Sequence, residues 1–234
     1  MQAVLIGHLA PALAIAAAVR RPRLGTLTAA ALLPDIALWL LVLVGVERVG
    51  IDPAVSIMSP LDLWEARWSH SLVGTLGLAA GFVIAVKTLT RDPRAAWAAG
   101  AAVLSHWFLD LIVHTPDLTI VGTGARHGWG LWNHPYLAMP LELGLVFVAG
   151  TFYVSRTRES GWPGRWSPVL LGVVAVVLQL DQWLARKPPE TLMAVPASVP
   201  VSGLATAVIL IVLAQWVGDS RVARLRPLPV RPTR

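Results

Sequence analysis

Seven apolar runs limit what this chain can become. They lie at about 3–19, 26–46, 69–87, 95–114, 136–155, 168–185 and 201–217. Each is near the ~20 residues a helix needs to cross ~30 Å of hydrocarbon. Lipid offers no hydrogen bonds, so a spanning segment must satisfy its own backbone, and runs of this length do so as helices. The expected fold is an all-α integral membrane protein of about seven transmembrane helices, occupying residues 1–220 as one domain, with a basic, Pro-rich tail at 221–234. With 56% hydrophobic and 14% charged residues, the composition lies outside the range of soluble domains. The first run could be taken for a signal peptide. Its positive charges, however, follow the apolar stretch instead of preceding it, and His8 and Pro11 interrupt it.

The basic residues alternate from loop to loop. Arg20, Arg21 and Arg23 follow the first run, Lys87, Arg91 and Arg94 the third, and Arg156, Arg158 and Arg165 the fifth, with Arg221, Arg224, Arg226, Arg231 and Arg234 in the tail. The other loops hold only Arg48, Arg67, Arg126, Arg186 and Lys187. Fourteen against five on alternating loops predicts an outside N-terminus and a cytoplasmic C-terminus. The net charge of +6 is therefore a topology signal and a contact for anionic membrane lipids, and no nucleic-acid site is expected. Ser59-Pro60 resembles a cap and first helical residue, which predicts a short interfacial helix over Leu61–Trp68. The Gly-rich stretch Thr115–Pro135 reads as an interfacial loop, and many of the 11 Trp lie near span ends.

Charged and imidazole groups inside apolar runs cost ~2.5–3.5 kcal/mol each for a central acid or base, so they face the bundle interior and take partners. In the fourth run His106, Asp110 and His114 recur every four residues, one helical face. His106 and Asp110 are one turn apart, the spacing that lets one helix grip one ion. His114 is ~12 Å from His106 along the axis, too far for both to share it. His8 lies ~8 Å and Asp35 ~16 Å from the outer ends of their runs, His106 and Asp110 ~12 and ~6 Å, and Glu142 ~9 Å. His70 opens the third run. These groups come from five expected helices and lie in the outer half of the bilayer or near its midplane. Pro11, Pro34 and Pro140 stand beside three of them, and prolines in spans free backbone groups where a cavity is lined. Cysteine is absent, so a metal would be held by His and carboxylate, a donor set that suits a divalent ion such as zinc.

Gly7-His8, Leu33-Pro34-Asp35-Ile36, Trp68-Ser69-His70-Ser71-Leu72, and Ser105-His106 followed by Asp110 and Thr115-Pro116 stand in an order that resembles the LexA-regulated, membrane-bound metal-dependent hydrolase family over about residues 5–117. The resemblance implies a multi-pass protein of a bacterial-type cytoplasmic (inner) membrane with metal-dependent hydrolase activity. The chain departs from the family pattern where Ala37 and Leu38 replace an acid and a frequent His. It departs again where Glu65 and Arg67 replace the His and Gly of His-Arg-Gly-x-Thr-His-Ser.

The functional expectation is a hydrolase of a lipid or lipid phosphate, worked from the extracytoplasmic side. His70, His106, Asp110, Asp35 and His8 are the candidate metal ligands, and Glu142 or Glu65 the candidate base. Ser71, Ser105, His114, Asn133 and His134 are expected to support the ligands by hydrogen bonds. No Gly-x-Ser-x-Gly nucleophile motif occurs. Two other readings stay open: a non-catalytic subunit that binds lipid or a partner helix, favoured by the family departures, and a proton- or ion-coupled transporter. The transporter would need polar groups in the cytoplasmic half as well, and Asp181 and Gln182 also lie toward the outer end.

Overall fold

A computed structural model describes residues 6–19, 21–184 and 189–224. The chain is mostly helical. A 3-10 turn, Ile6–His8, leads into α1 (Leu9–Ala18), followed by α2 (Leu24–Ala31) and α3 (Leu33–Leu43). A ribbon of β1 (Arg48–Ile51) and β2 (Leu61–Glu65) precedes α4 (Leu72–Thr90) and α5 (Pro93–Val113). Then come β3 (Leu118–Thr119), β4 (Arg126–His127), α6 (Pro135–Arg156), β5 (Thr157–Glu159), α7 (Trp162–Leu184), α8 (Ser198–Ser220) and β6 (Arg221–Ala223).

Five of these helices, α4 to α8, are long and apolar enough to cross a membrane, and α2 with α3 makes a sixth if the bent pair is one span. Seven spans were expected. Among the described residues the difference lies at the N-terminal end, where the described part of the first run, Ile6–Ala18, is apolar and ~20 Å long. The outward faces of the long helices carry exposed Ile84, Phe147, Val177 and Ile209, the apolar coat of a multi-pass membrane protein. Arg20, Arg186, Lys187 and the tail residues Arg226, Arg231 and Arg234 lie outside the described residues.

The second expected span, 26–46, is broken at Leu32, with a bend of 53° between α2 and α3. Pro34 supplies no N–H to the preceding turn, so the chain cannot continue α2 straight through. α2 sits at the centre, packed against α1, α5 and α8. Its small residues allow this: a Cβ on Gly25 would collide with the backbone of Gln215 on α8. α1 packs on α6, α4 on α5, and α7 on α8.

The segment expected as an interfacial helix is instead strand β2, paired antiparallel with β1. Leu61 and Leu63 are buried while Asp62 and Trp64 are half-buried, a period of two that a strand satisfies and a helix does not. The loop Thr115–Pro135 holds the short β3–β4 pair and a 3-10 turn, Leu131–Asn133. At the opposite end β6 pairs with β5, and the Arg221 side chain is buried there, bonded to Thr157 and to the carbonyl of Gly164. The first residues of the expected tail thus close the sheet at that end.

Candidate metal centre

Four separate pieces of chain deliver five ligand-type side chains to one point. His8 ends the 3-10 turn, which is anchored by the Ile6 N–H donating to Gln179 at 3.1 Å. Asp35 sits in the first turn of α3. The break at Leu32 makes that position a helix N-terminus inside the apolar zone, where the backbone dipole favours a carboxylate. His70 lies in the turn before α4, whose start is capped by Ser71 accepting from the Gly74 N–H. His106 and Asp110 stand one turn apart on the buried face of α5. All five are at most 6% exposed, which for two acids and three imidazoles requires mutual compensation.

Hydrogen bonds around the cluster fix where the imidazole lone pairs point. His106 Nδ1 lies 2.8 Å from the Ala31 carbonyl oxygen. A carbonyl only accepts, so Nδ1 carries the proton and the lone pair of the neutral ring is on Nε2. That carbonyl is available because it ends α2 at the break. On the other side, the Glu47 carboxylate accepts from the Trp68 and Ser69 N–H groups and from Ser69 Oγ at 2.7 Å. Ser69 has one hydroxyl proton and gives it to Glu47, so His70 Nδ1, 2.9 Å from Ser69 Oγ, donates. The lone pair of neutral His70 is also on Nε2.

Both lone pairs face carboxylate oxygens. His106 Nε2 is 3.1 Å from Asp110 Oδ2 and 3.7 Å from Asp35 Oδ1, while His70 Nε2 is 3.6 Å and 3.5 Å from the same two atoms. Lone pair against lone pair is repulsive, and Asp35 Oδ2, Asp110 Oδ2 and His106 Nε2 make no hydrogen bond. A cation between the four atoms removes the conflict. Donor atoms 2.0–2.1 Å from an ion at tetrahedral angles are roughly 3.4 Å apart, close to the four measured separations. The buried groups His8, His106, Asp110 and Asp35, His70, His106 could each hold a metal ion. The donor set thus fits a divalent cation. The cavity here is about 20 Å³, bordered by His70, Asp35, Asp110, Leu61 and Leu63. That is room for about one water or ion.

His8 adds to the cluster from beyond the four atoms. Its ring stacks on that of His106 at 3.7 Å, and its Nε2 is 3.1 Å from Asp110 Oδ1, the oxygen turned away from His70 and His106. His114, at the C-terminal cap of α5, has extended backbone and so leaves the helical stripe. Its Nδ1 contacts Asp117 Oδ2 at 3.2 Å and its Nε2 lies 3.8 Å from Asp110 Oδ1.

Several expected contributors lie elsewhere. Glu142 is buried, but it accepts from Trp132 Nε1 at 3.2 Å, and Trp132 in turn packs on His114, so the indole separates it from the cluster. Glu65 is at the end of β2 between Arg48 and Arg67, at 3.7 and 3.3 Å. Ser105 Oγ returns to the Ala102 carbonyl of its own helix. Asn133 accepts from the Ile57 N–H, and His134 is exposed at the start of α6. Ser71 is a helix cap. The supporting groups are Ala31, Ser69 and Glu47 instead. Ser69 could have been found from its place beside His70. Glu47 had only its position just after an apolar run.

No family model, curated protein or solved structure matches this chain.

Proposed function

We propose that this protein is a membrane-embedded, metal-dependent hydrolase that cleaves a lipid or lipid phosphate from the extracytoplasmic side of a bacterial-type inner membrane. The likeness to the LexA-regulated membrane hydrolases is part of this proposal. The observation that carries it is the opposition of two Nε2 lone pairs to two buried carboxylates. With neutral rings that arrangement is costly without a cation, and the hydrogen bonds to Ala31 and Ser69 hold it in place.

A divalent ion, zinc being the first choice for two imidazoles and two carboxylates, would supply Lewis acidity toward water and toward a carbonyl or phosphoryl oxygen. His70, His106 and Asp110 hold the site, and His8 orients Asp110 through its second oxygen. Both carboxylates border the cavity with Oδ2 unbonded, but Asp110 is held through Oδ1 by His8, so we assign Asp35 to take the proton of an attacking water and return it to the leaving oxygen. Glu142 and Glu65, turned to other partners, are not assigned that role. The cavity, bordered by Leu61 and Leu63 of the β1–β2 ribbon, is too small for a substrate, so turnover requires it to widen. Metal analysis of purified wild type beside His106→Ala tests the reading. About one equivalent in the wild type and none in the variant is expected. A wild type that carries no metal and binds none at micromolar concentration sinks it.

Two observations keep open a second reading, the non-catalytic one. The closed cavity and the absence of Glu142 and Glu65 from it fit a structural metal site equally well. Metal binding without cleavage of any of a panel of phospholipids and lipid phosphates would select that reading.

A further inference from the structure

Beside the metal cluster, on the surface of the bundle, α3 and α4 flank a groove of about 640 Å³. Its α3 wall is Leu33, Ala37 and Leu41, one residue per turn. On its α4 wall Gly77 and Gly81 stand among Val73, Leu78, Phe82 and Ala85, and a Cβ on either glycine would meet nothing within 4 Å. From Gly74 to Ala85 the groove follows α4 for ~16 Å, about half the ~30 Å hydrocarbon thickness. It therefore has the depth of one leaflet and the polarity of a hydrocarbon chain.

Its mouth differs from its floor. Trp68 stands there 65% exposed, where an indole marks the membrane–water interface. Arg67 also lines the mouth. It shares the single carboxylate of Glu65 with Arg48, so these three side chains sum to one positive charge at the exposed mouth, while the Glu47 carboxylate is buried behind it on the Trp68 and Ser69 N–H groups. Ser69 and Ser71 border the groove, while His70 between them borders the metal-centre cavity. One residue therefore separates a head group at the mouth from the cluster.

We propose that this groove is the docking site of the substrate. One acyl chain of an anionic phospholipid lies along Gly77 and Gly81, and its phosphate sits at Arg67 beside His70. The assignment rests on the hydrolase reading of the cluster and adds the substrate class and the side of entry. A zwitterionic lipid fits the same floor and offers a phosphate, but its own ammonium already balances that phosphate, so only an anionic lipid neutralises the charge at the mouth.

The test uses full-length protein in nanodiscs with spin-labelled phosphatidic acid and phosphatidylcholine, and metal content measured on the same samples. The wild type should immobilise phosphatidic acid over phosphatidylcholine by roughly fivefold, the preference expected from one interfacial arginine. Arg67→Gln should bring the two lipids level. Gly77→Leu/Gly81→Leu fills open space, so it should keep the metal and lose the immobilised component. Equal immobilisation of both lipids by the wild type, or an unchanged preference in the double variant, overturns the groove assignment. A metal-free wild type that still prefers phosphatidic acid overturns the hydrolase reading and supports the groove as a lipid site.

Discussion

The imidazole of His8 lies flat on that of His106, with centroids 3.7 Å apart and planes 9° apart. Two stacked imidazolium rings would repel at that distance, so at most one carries charge, and neutral rings are what a metal requires. His8 reaches the cluster through Asp110 Oδ1 and not through the oxygen that faces His70 and His106. It therefore acts as a positioning residue. His8→Phe keeps the stack and loses the bond to Asp110. Metal affinity should fall about 10–100-fold, the usual cost of losing an outer partner, with the fold intact. Isothermal titration with zinc measures this, and unchanged affinity would contradict it.

Ser69 has the corresponding place behind His70. Its hydroxyl links the Glu47 carboxylate to His70 Nδ1 and so selects the tautomer that leaves Nε2 free. Ser69→Ala removes that link but leaves the backbone N–H groups on Glu47. A drop of about 10–100-fold in zinc affinity is expected, with the melting temperature in detergent little changed. Glu47→Ala should instead cost stability, because the N–H groups of Trp68 and Ser69 lose their acceptor inside a buried turn.

Much of this centre is legible from residue spacing. His106 and Asp110 share a helix face at a step of four, and Pro34 marks the break that places Asp35 at a helix start. The depths estimated along each run bring His8, Asp35, His70, His106 and Asp110 toward one level. What the sequence hid has physical causes. Glu142 matches the others in depth, but depth is one coordinate, and its azimuth on α6 turns it to Trp132. Ala31 contributes a carbonyl, for which no side-chain pattern exists. The strand at Leu61–Glu65 was masked by Ser59-Pro60, which resembles a helix start; the pairing with Arg48–Ile51 decided otherwise, and a local signal carries no information about a distant partner.

Gly74 controls the same turn through shape. A Cβ at that position would overlap the carbonyl oxygen of Trp68, so only glycine lets the Trp68–Ser71 turn close onto α4. Gly74→Ala pushes the turn away and carries His70 with it. Loss of metal is expected together with a lower melting temperature, whereas Gly77→Ala one turn on, where space is open, should change neither. Equal metal content in the two variants would remove the steric argument.

Orientation is open to a direct test because the chain has no cysteine. Ala125 is exposed in the loop between β3 and β4, at the end of the bundle that holds the cluster. The basic asymmetry predicts that this loop lies outside. In intact cells, Ala125→Cys should react with a membrane-impermeant maleimide. Protection there, with labelling only after lysis, would reverse the topology and move the proposed substrate to the cytoplasmic leaflet.

Asp110 lies within 4 Å of His8, His70, His106 and His114, so its substitution is the most severe test of the centre. Asp110→Asn keeps the volume and replaces a carboxylate by a weak ligand. It also removes one of the two negative charges that offset a divalent ion, so the expected result is loss of bound metal at micromolar concentration. Asp35→Asn should behave differently if Asp35 is the base. Three of the four converging donors remain, which is the usual protein ligand count of a catalytic zinc, so metal is retained while turnover falls about 10²–10⁴-fold. Metal content and lipid-phosphate cleavage on the two variants separate the roles. Metal loss in both would make Asp35 a ligand only, and full metal content in Asp110→Asn would show that the ion, if present, is held elsewhere.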